Sequence, residues 1–365
     1  MKIQEIILLL ENIAPGYLQE SYDNAGLITG NEDWECTGIM IALDAVEKVV
    51  EEAIEKKCNL VITHHPIVFG GLKKITGKNY VEKTVITAIK NNIAIYAIHT
   101  NLDNVSNGVN GKIADMLGLI NRQLLQPKNN LLKKLIVFVP DNHAENIRIA
   151  MFKAGAGHIG NYSECSFNTN GEGTFKAGEG TSAYVGNQGE RHTEHEVKVE
   201  VVLNAWTENE IVKAMLQAHP YEEVAYDIIA LDHKHPAIGS GMTGFLETPF
   251  TELDFLQLIK NNFKLDVIRH TKLTGKPVKK VAVCGGAGSF LIKAAVASGA
   301  DFYITSDIKY HEFFDADEKL VIADVGHYES EQYTIDLLFD ILKEKYPTFA
   351  VLKTGVKTNP VNYFL

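Results

Sequence analysis

Between residues 38 and 98, short apolar runs alternate with amphipathic stretches. The alternation predicts strands at 38–43, 60–63 and 93–98, separated by helices at 46–56 and 81–91. Strands that are apolar throughout and joined by helices belong to parallel sheets covered on both faces. Upstream, Ile3, Ile6, Ile7, Leu10 and Ile13 recur with helical spacing, and Glu5 and Glu11 flank the apolar run 6–10. The N-terminus therefore reads as an amphipathic helix rather than a signal peptide.

The rhythm breaks in a polar loop at 126–130. A strand at 134–139, a helix at 144–154, a Gly/Thr-rich stretch up to Gly189, a strand at 196–203, a helix at 208–219 and a strand at 225–231 then outline a separate α+β unit. After His233-Lys234-His235-Pro236 the first rhythm resumes, with a helix at 253–263, a strand at 279–283, a helix at 290–297, a strand at 301–305 and a long helix from His327 to Lys345. The expected fold class is α/β: two similar α/β halves, 1–130 and 234–365, with an inserted α+β domain at 131–233. The turn Cys284-Gly285-Gly286-Ala287-Gly288-Ser289 has the composition of an anion cradle. It lacks the Lys-Ser/Thr of a P-loop and the dinucleotide spacing, so a plain tight turn is equally expected.

The candidate chemistry gathers at strand ends. His64 and His65 end one apolar run, His99 followed by Asp103 ends another, and His327 followed by Glu331 comes after 321–326. Adjacent strand residues point to opposite faces, so neighbouring histidines suit two metals side by side better than one. His327 and Glu331 stand four residues apart, on one face of a helix, where the carboxylate can bridge two ions. The run 59–63 before the double histidine resembles 301–305 before Ser306-Asp307, which suggests a weak internal duplication whose two halves offer equivalent strand ends to one cleft. His192 and His195, and His233 and His235, lie in polar connecting sequence and read as decoys, while Asp23, Asn24 and Asp44 suit either a cleft wall or an Asx turn.

Composition narrows the partners. The 365 residues suit two or three domains, and 46 acidic against 35 basic residues give a formal charge of −11 with no Lys/Arg block. A general nucleic-acid surface and an anionic-membrane surface are not expected, whereas a small-molecule substrate is. Four cysteines without a C-x-x-C pattern suit reduced thiols and a cytoplasmic location, and no apolar stretch approaches the roughly 18 residues of a membrane span.

With these pieces placed, the chain resembles the dinuclear-metal, ring-forming family of GTP cyclohydrolase I type 2 homologues. The resemblance is carried by Ser21-Tyr22-Asp23-Asn24-Ala25-Gly26-Leu27, Thr63-His64-His65-Pro66, His99-Thr100-Asn101-Leu102-Asp103, Thr305-Ser306-Asp307-Ile308-Lys309-Tyr310-His311 and Gly326-His327-Tyr328-Glu329-Ser330-Glu331. It implies a homohexamer in which His65 and Asp103 bind one metal, His64 and His327 bind the other, and Glu331 bridges them. Tyr22 and Ser306 depart from the usual Trp and Gly, and neither departure removes a ligand. The insert resembles PII-like or CutA-like domains through Gly157-His158-Ile159-Gly160-Asn161-Tyr162, Gly173-Thr174-Phe175 and His219-Pro220-Tyr221-Glu222-Glu223, which implies trimeric lids on the ring.

Histidine with carboxylate suits two divalent ions per chain, with Zn leading and Mn, Fe, Co or Ni also suited. Two bridged ions share a water whose pKa falls from about 15.7 to near 7, so hydroxide becomes the expected nucleophile. His99 and His311 are then candidates for proton transfer, and Lys309 for meeting a phosphate or a developing oxyanion. The function expected is a metal-dependent hydrolase acting on a small nucleotide-like or phosphorylated substrate. The alternative is a non-enzymatic metal-binding or regulatory scaffold whose insert senses a small molecule.

Overall fold

A computed structural model describes residues 1–364. The chain opens with α1 (Ile3–Ile13) and β1 (Gly26–Thr29), followed by β2 (Ile39–Asp44), α2 (Glu47–Glu55), β3 (Leu60–His65), α3 (Tyr80–Lys90) and β4 (Ala94–Ala97). Then come α4 (Thr100–Asp103), α5 (Val109–Met116), β5 (Ile120–Pro127), β6 (Leu132–Pro140), α6 (Ala144–Lys153), β7 (Ser166–Lys176), β8 (Arg191–Asn204), α7 (Glu208–Ala218) and β9 (Tyr226–Leu231). The last part holds β10 (Gly239–Phe250), α8 (Glu252–Phe263), β11 (Arg269–His270), β12 (Val278–Ala287), α9 (Ile292–Ala297), β13 (Phe302–Ser306), β14 (Val321–Asp324), α10 (His327–Glu331), α11 (Thr334–Lys345) and β15 (Val351–Lys353).

The fold is mixed α/β. One compact unit joins Met1–Gln126 to the chain from Ala237 onward, and Pro127–Pro236 form a second. In the first unit, β2, β3 and β4 run parallel, with β1 antiparallel on β4, in a sheet of order β1-β4-β3-β2-β15. The other sheet, β11-β14-β13-β12-β10-β5, repeats this core: β12, β13 and β14 run parallel, and β11 is antiparallel on β14. The outer edges differ, because β2 takes β15 in parallel whereas β12 takes β10 in antiparallel. The halves are thus interlocked by the C-terminal strand, which completes the N-terminal sheet.

Burial explains the apolar runs. Met40, Ala42, Val61 and Ile95 pack beneath Val49, Val50, Val85 and Ala88 of α2 and α3, while Ala282, Tyr303 and Ile322 pack beneath Leu291, Ile292 and Ala295. Each fully buried Val, Leu or Ile contributes about 1.5–3 kcal/mol, which is why both faces of these strands are apolar.

The second unit has the order β-α-β-β-α-β, with an antiparallel sheet β7-β8-β6-β9 packed against α6 and α7 through Leu135, Val137, Ile147, Met151, Val199, Val201, Ile211 and Met215. Its bounds take in polar residues on both flanks that the sequence reading gave to the neighbouring halves. The His235 N–H donates to the Lys128 carbonyl at 2.8 Å and joins the entering and leaving segments.

The sequence pattern did not mark β1, α4, α5, β5, β10, β11 or β15, and two segments that it did describe differ from expectation. The Gly/Thr-rich stretch carries β7, in unbroken register with β8 from Ser166↔Val201 to Lys176↔Arg191, so His192 and His195 are strand residues rather than connecting sequence. Glycine lowers strand propensity and hid this strand. Its absent side chain is used, since a Cβ on Gly173 would lie 2.1 Å from Glu196 Oε2. The long helix expected from His327 is two helices, α10 and α11. Between them Gln332 Nε2 donates to Phe263 O at 3.3 Å and Tyr333 Oη to Asn262 O at 2.9 Å, which ties the break to the end of α8.

Candidate metal centre

His64 and His65 end β3 and diverge, as strand alternation requires. His64 is fully buried and turns toward β4, where its Nδ1–H donates to Ile98 O at 2.9 Å. That leaves Nε2 directed at Asp103 Oδ1, 3.5 Å away on α4, and at Glu331 Oε1, 3.7 Å away. His65 turns the other way. Its strand partner in the parallel register is Asp44, whose Oδ1 accepts from His65 Nδ1 at 2.7 Å. Its Nε2 lies 3.0 Å from Glu331 Oε2 and 3.3 Å from His327 Nε2.

His327 and Glu331 lie on one face of α10, with His327 Nε2 3.1 Å from Glu331 Oε2. Asp307 orients His327 by accepting from its Nδ1 at 2.7 Å, and it does so from a left-handed backbone with φ 57°. The structure therefore pairs the donors differently from the resemblance. His64 stands with Asp103 and His65 with His327, and Glu331 gives one oxygen to each group. The reason is the alternation of β3: the β4 side holds Asp103, whereas the β2 side faces His327.

The glycine-rich segment, expected as a turn, instead forms the end of β12 as far as Ala287, where it packs against this carboxylate. Gly285 N–H donates to Asn110 Oδ1 and Gly286 N–H to Ser330 Oγ, both at 3.0 Å. Gly286 has φ 63°, and a Cβ there would lie 2.2 Å from Glu331 Oε1. Gly286→Ala is expected to cost about 1–2 kcal/mol of stability from the left-handed backbone. It should also displace Glu331, so that metal content falls while circular dichroism stays native; full metal content would show that the carboxylate has room to spare.

The donors fit metal ions. His65 Nε2, His327 Nε2 and Glu331 Oε2 are acceptor atoms once both imidazoles donate through Nδ1, yet they converge within 3.0–3.3 Å. Among buried polar atoms, His64 Nε2 and Asp103 Oδ1 have no hydrogen-bond partner. Four donors arranged tetrahedrally at roughly 2.0–2.1 Å from Zn stand about 3.3 Å apart, within the spread found here. His99 joins this cluster too, with a ligand atom within 4.8 Å of those of His64 and His65. Its Nδ1 donates to Asp23 Oδ1 at 2.8 Å.

Without a cation, protons must relieve the convergence. Burial opposes the charged form of His65, but Asp44 and Glu331 raise its pKa to about 9. Burial likewise opposes protonation of His327, and Asp307 with Glu331 raises it to about 11. Burial holds His64 below its ordinary value, and burial followed by the Glu331 charge raises Asp103 well above the carboxylate range. The ordinary histidine value is about 6.5. The stabilising contribution of His65 and His327 in metal-free protein is therefore complete below that pH and is lost as the pH rises through about 9 and then about 11. Ligation requires these protons to leave. Metal uptake near neutral pH is expected to release about two protons per chain, measurable by calorimetry in buffers of different ionisation heat. No release would show that both imidazoles are already neutral in the metal-free protein.

A cavity of about 1060 Å³ opens onto His65, His99, Asp103, His327 and Glu331. Lys309 and His311 are not on its wall. Both are exposed on the short helical turn after β13, where the Lys309 N–H donates to Glu312 Oε2 at 2.8 Å and the His311 ring lies 5.1 Å from Tyr310. Of this segment, Asp307 is the residue that lines the cavity. Of the decoys, His192 is engaged by Glu194 at 2.8 Å, and His235 is buried beside Asn204.

The sequence reading named Asp23 and Asp44 only as cleft or turn residues, and assigned no role to Asp307 or Thr358. The first three each hold a histidine Nδ1, and Thr358 Oγ1 donates to Asp44 Oδ2 at 2.5 Å. A carboxylate beside a ligating imidazole fixes its tautomer and raises its basicity. An acid at or just after a strand end was the available signal for Asp44 and Asp307, whereas Asp23 stands in the turn before β1 and nothing in the sequence marked Thr358. Thr358→Val is expected to lower metal affinity roughly tenfold in the His65/His327 group alone, by analogy with other indirect ligand contacts. Equal weakening of both groups in a metal titration would contradict it.

The chain is 38% identical to the GTP cyclohydrolase 1 type 2 homolog of Halalkalibacterium halodurans, over 99% of this chain and 98% of that one. It is 39% identical to the protein of the same name from Bacillus subtilis, over 89% and 88%. A crystal structure of a Bacillus cereus protein related to NIF3 superposes with a TM-score of 0.87 at 38% identity, covering 100% of this chain and 99% of that one. Residues 1–360 match the family described as Duf34/NIF3 (NGG1p interacting factor 3), and the chain belongs to that family.

Proposed function

We propose that the protein is a dinuclear metal-dependent hydrolase acting on a small nucleotide-like or phosphorylated compound, in keeping with the GTP cyclohydrolase name its relatives carry. The observation that carries this reading is the sharing of Glu331: its two oxygens face two separate donor groups beside one cavity, whose wall includes Asp103 of one group and His65 and His327 of the other. Divalent ions held by such donors supply Lewis acidity and make water ionise near neutral pH. Zn leads as the ion, with Mn, Fe, Co and Ni also suited to histidine and carboxylate.

The chain's own residues hold and orient. Asp44 and Asp307 fix the tautomers of His65 and His327, so that both Nε2 atoms face inward. His99, held by Asp23, is placed to take or give a proton at the cavity surface. Burial opposes ionisation of Asp23, yet the hydrogen bonds from His99 and Thr100 lower its pKa to about 2, so it stays an acceptor and keeps the His99 ring oriented. A homohexamer and a cytoplasmic setting complete the proposal. Among the described residues no helix is long and apolar enough to cross a membrane.

The test is turnover of a panel of nucleotides and phosphoesters by protein reconstituted separately with each metal, with Glu331→Gln as control. Metal-dependent product formation that disappears in the variant supports the hydrolase. Tight metal binding without turnover of any compound favours the scaffold reading.

A further inference from the structure

The cavity beside the donor groups has an unusual wall. Tyr22, Phe69, Tyr80, Phe290 and Tyr363 all line it and all are exposed, Tyr22 to 69% and Phe290 to 63%. Large exposed aromatic side chains are normally scattered, and five on one concave surface mark a site for a flat apolar partner. Phe69 also stands edge-on to His99, with centroids 5.7 Å apart, so the aromatic wall reaches the donor groups themselves.

The charge of the same wall is negative. Seven carboxylates line the cavity, among them Asp44, Asp307 and Glu329, against one guanidinium, that of Arg269, which is already bonded to Asp324 at 3.0 Å. With the histidines neutral the wall carries −6, and two divalent ions bring it only to −2. No lysine lines the cavity among the described residues. Phosphate sites ordinarily present guanidinium forks, ammonium groups or helix N-termini, and a phosphate entering this wall meets like charge instead.

We propose that the cavity takes the planar heteroaromatic ring of its substrate against these aromatic side chains, and takes it as an uncharged or cationic group, a base or nucleoside rather than a nucleotide phosphate. This rests on the reading of the cavity as the substrate site and narrows the substrate class given above. Stacking on an aromatic side chain is worth about 1–3 kcal/mol per base by alanine substitution, so each ring should be individually visible in binding.

The experiment is calorimetric binding to the metal-loaded full-length protein of guanosine, guanosine 5′-monophosphate and ribose 5-phosphate, at low and at high salt. Guanosine is expected to bind at least about tenfold more tightly than its monophosphate at low salt, with the gap narrowing as salt screens the wall. Ribose 5-phosphate, which lacks the ring, should bind more weakly than either. Phe69→Ala and Phe290→Ala should each weaken guanosine binding about fivefold or more while metal content stays at the wild-type level. The proposal is overturned if the monophosphate binds as tightly as guanosine or more tightly, if neither substitution affects guanosine, or if guanosine does not bind at millimolar concentration. Because binding is read apart from turnover, a protein that binds guanosine but hydrolyses nothing refutes the hydrolase and leaves this inference standing. Hydrolysis of a nucleotide held through its phosphates does the reverse.

Discussion

Glu331→Gln is expected to abolish high-affinity metal binding in both donor groups at once, lowering each affinity by at least about 100-fold. The glutamate is almost entirely buried, and its two oxygens are divided: Oε1 faces His64, and Oε2 faces His65 and His327. Gln keeps the shape and the helix propensity but carries no charge and presents one oxygen and one NH₂ group. A unit charge at 4 Å is worth about 4 kcal/mol at an effective dielectric of ~20, and more against a dication. The folded-state balance changes as well. Burial opposes ionisation of Glu331, and three histidines hold its pKa well below the usual range, so the carboxylate is the counter-charge of the metal-free cluster. Metal titration with elemental analysis decides the matter: two tightly held ions in Glu331→Gln would remove the bridge from the account.

The second large effect concerns which donors share an ion. His64→Ala and Asp103→Asn are each expected to leave one ion per chain, and the double variant should still retain one, because both residues serve the same group. His65→Ala with His327→Ala should behave in the same way for the other group. Combining His64→Ala with His327→Ala should leave none. The pairing implied by the resemblance, His65 with Asp103 and His64 with His327, gives the opposite pattern, in which that last double variant keeps one ion. Stoichiometry in three double variants thus separates the two assignments without any measurement of activity. The observed distances favour the first: His65 Nε2 lies 3.3 Å from His327 Nε2, while His64 Nε2 lies 3.5 Å from Asp103 Oδ1.

Much of this centre was legible in the chain because its donors follow apolar runs. An apolar strand that ends in histidine can be read locally: the segments before His64, before His99 and before His327 declare themselves by hydrophobicity, and strand alternation announces that His64 and His65 diverge. The same local logic placed α1, α2, α3, α6, α7, α8 and α9 and the break near residue 127. It failed at β7, where glycines mask a strand held by cross-strand pairing, and at 332–333, where contacts to the end of α8 divide what local periodicity reads as one helix.

What periodicity could not supply was direction across the molecule. His65 and Glu331 are separated by 266 residues along the chain, and only the packing of two sheets in one unit decides that Glu331 meets both histidines of β3. The same packing sends Lys309 and His311 outward although they follow Asp307 directly, since a left-handed residue at 307 turns the chain away after the carboxylate has been delivered. It also brings Thr358, from beyond β15, to the carboxylate that holds His65. The kinds of donor and their local spacing are properties of short segments, set by backbone period and apolar burial. Their grouping around two positions, and the negative, aromatic character of the wall beside them, arise from contacts between segments far apart in sequence, which no local pattern encodes.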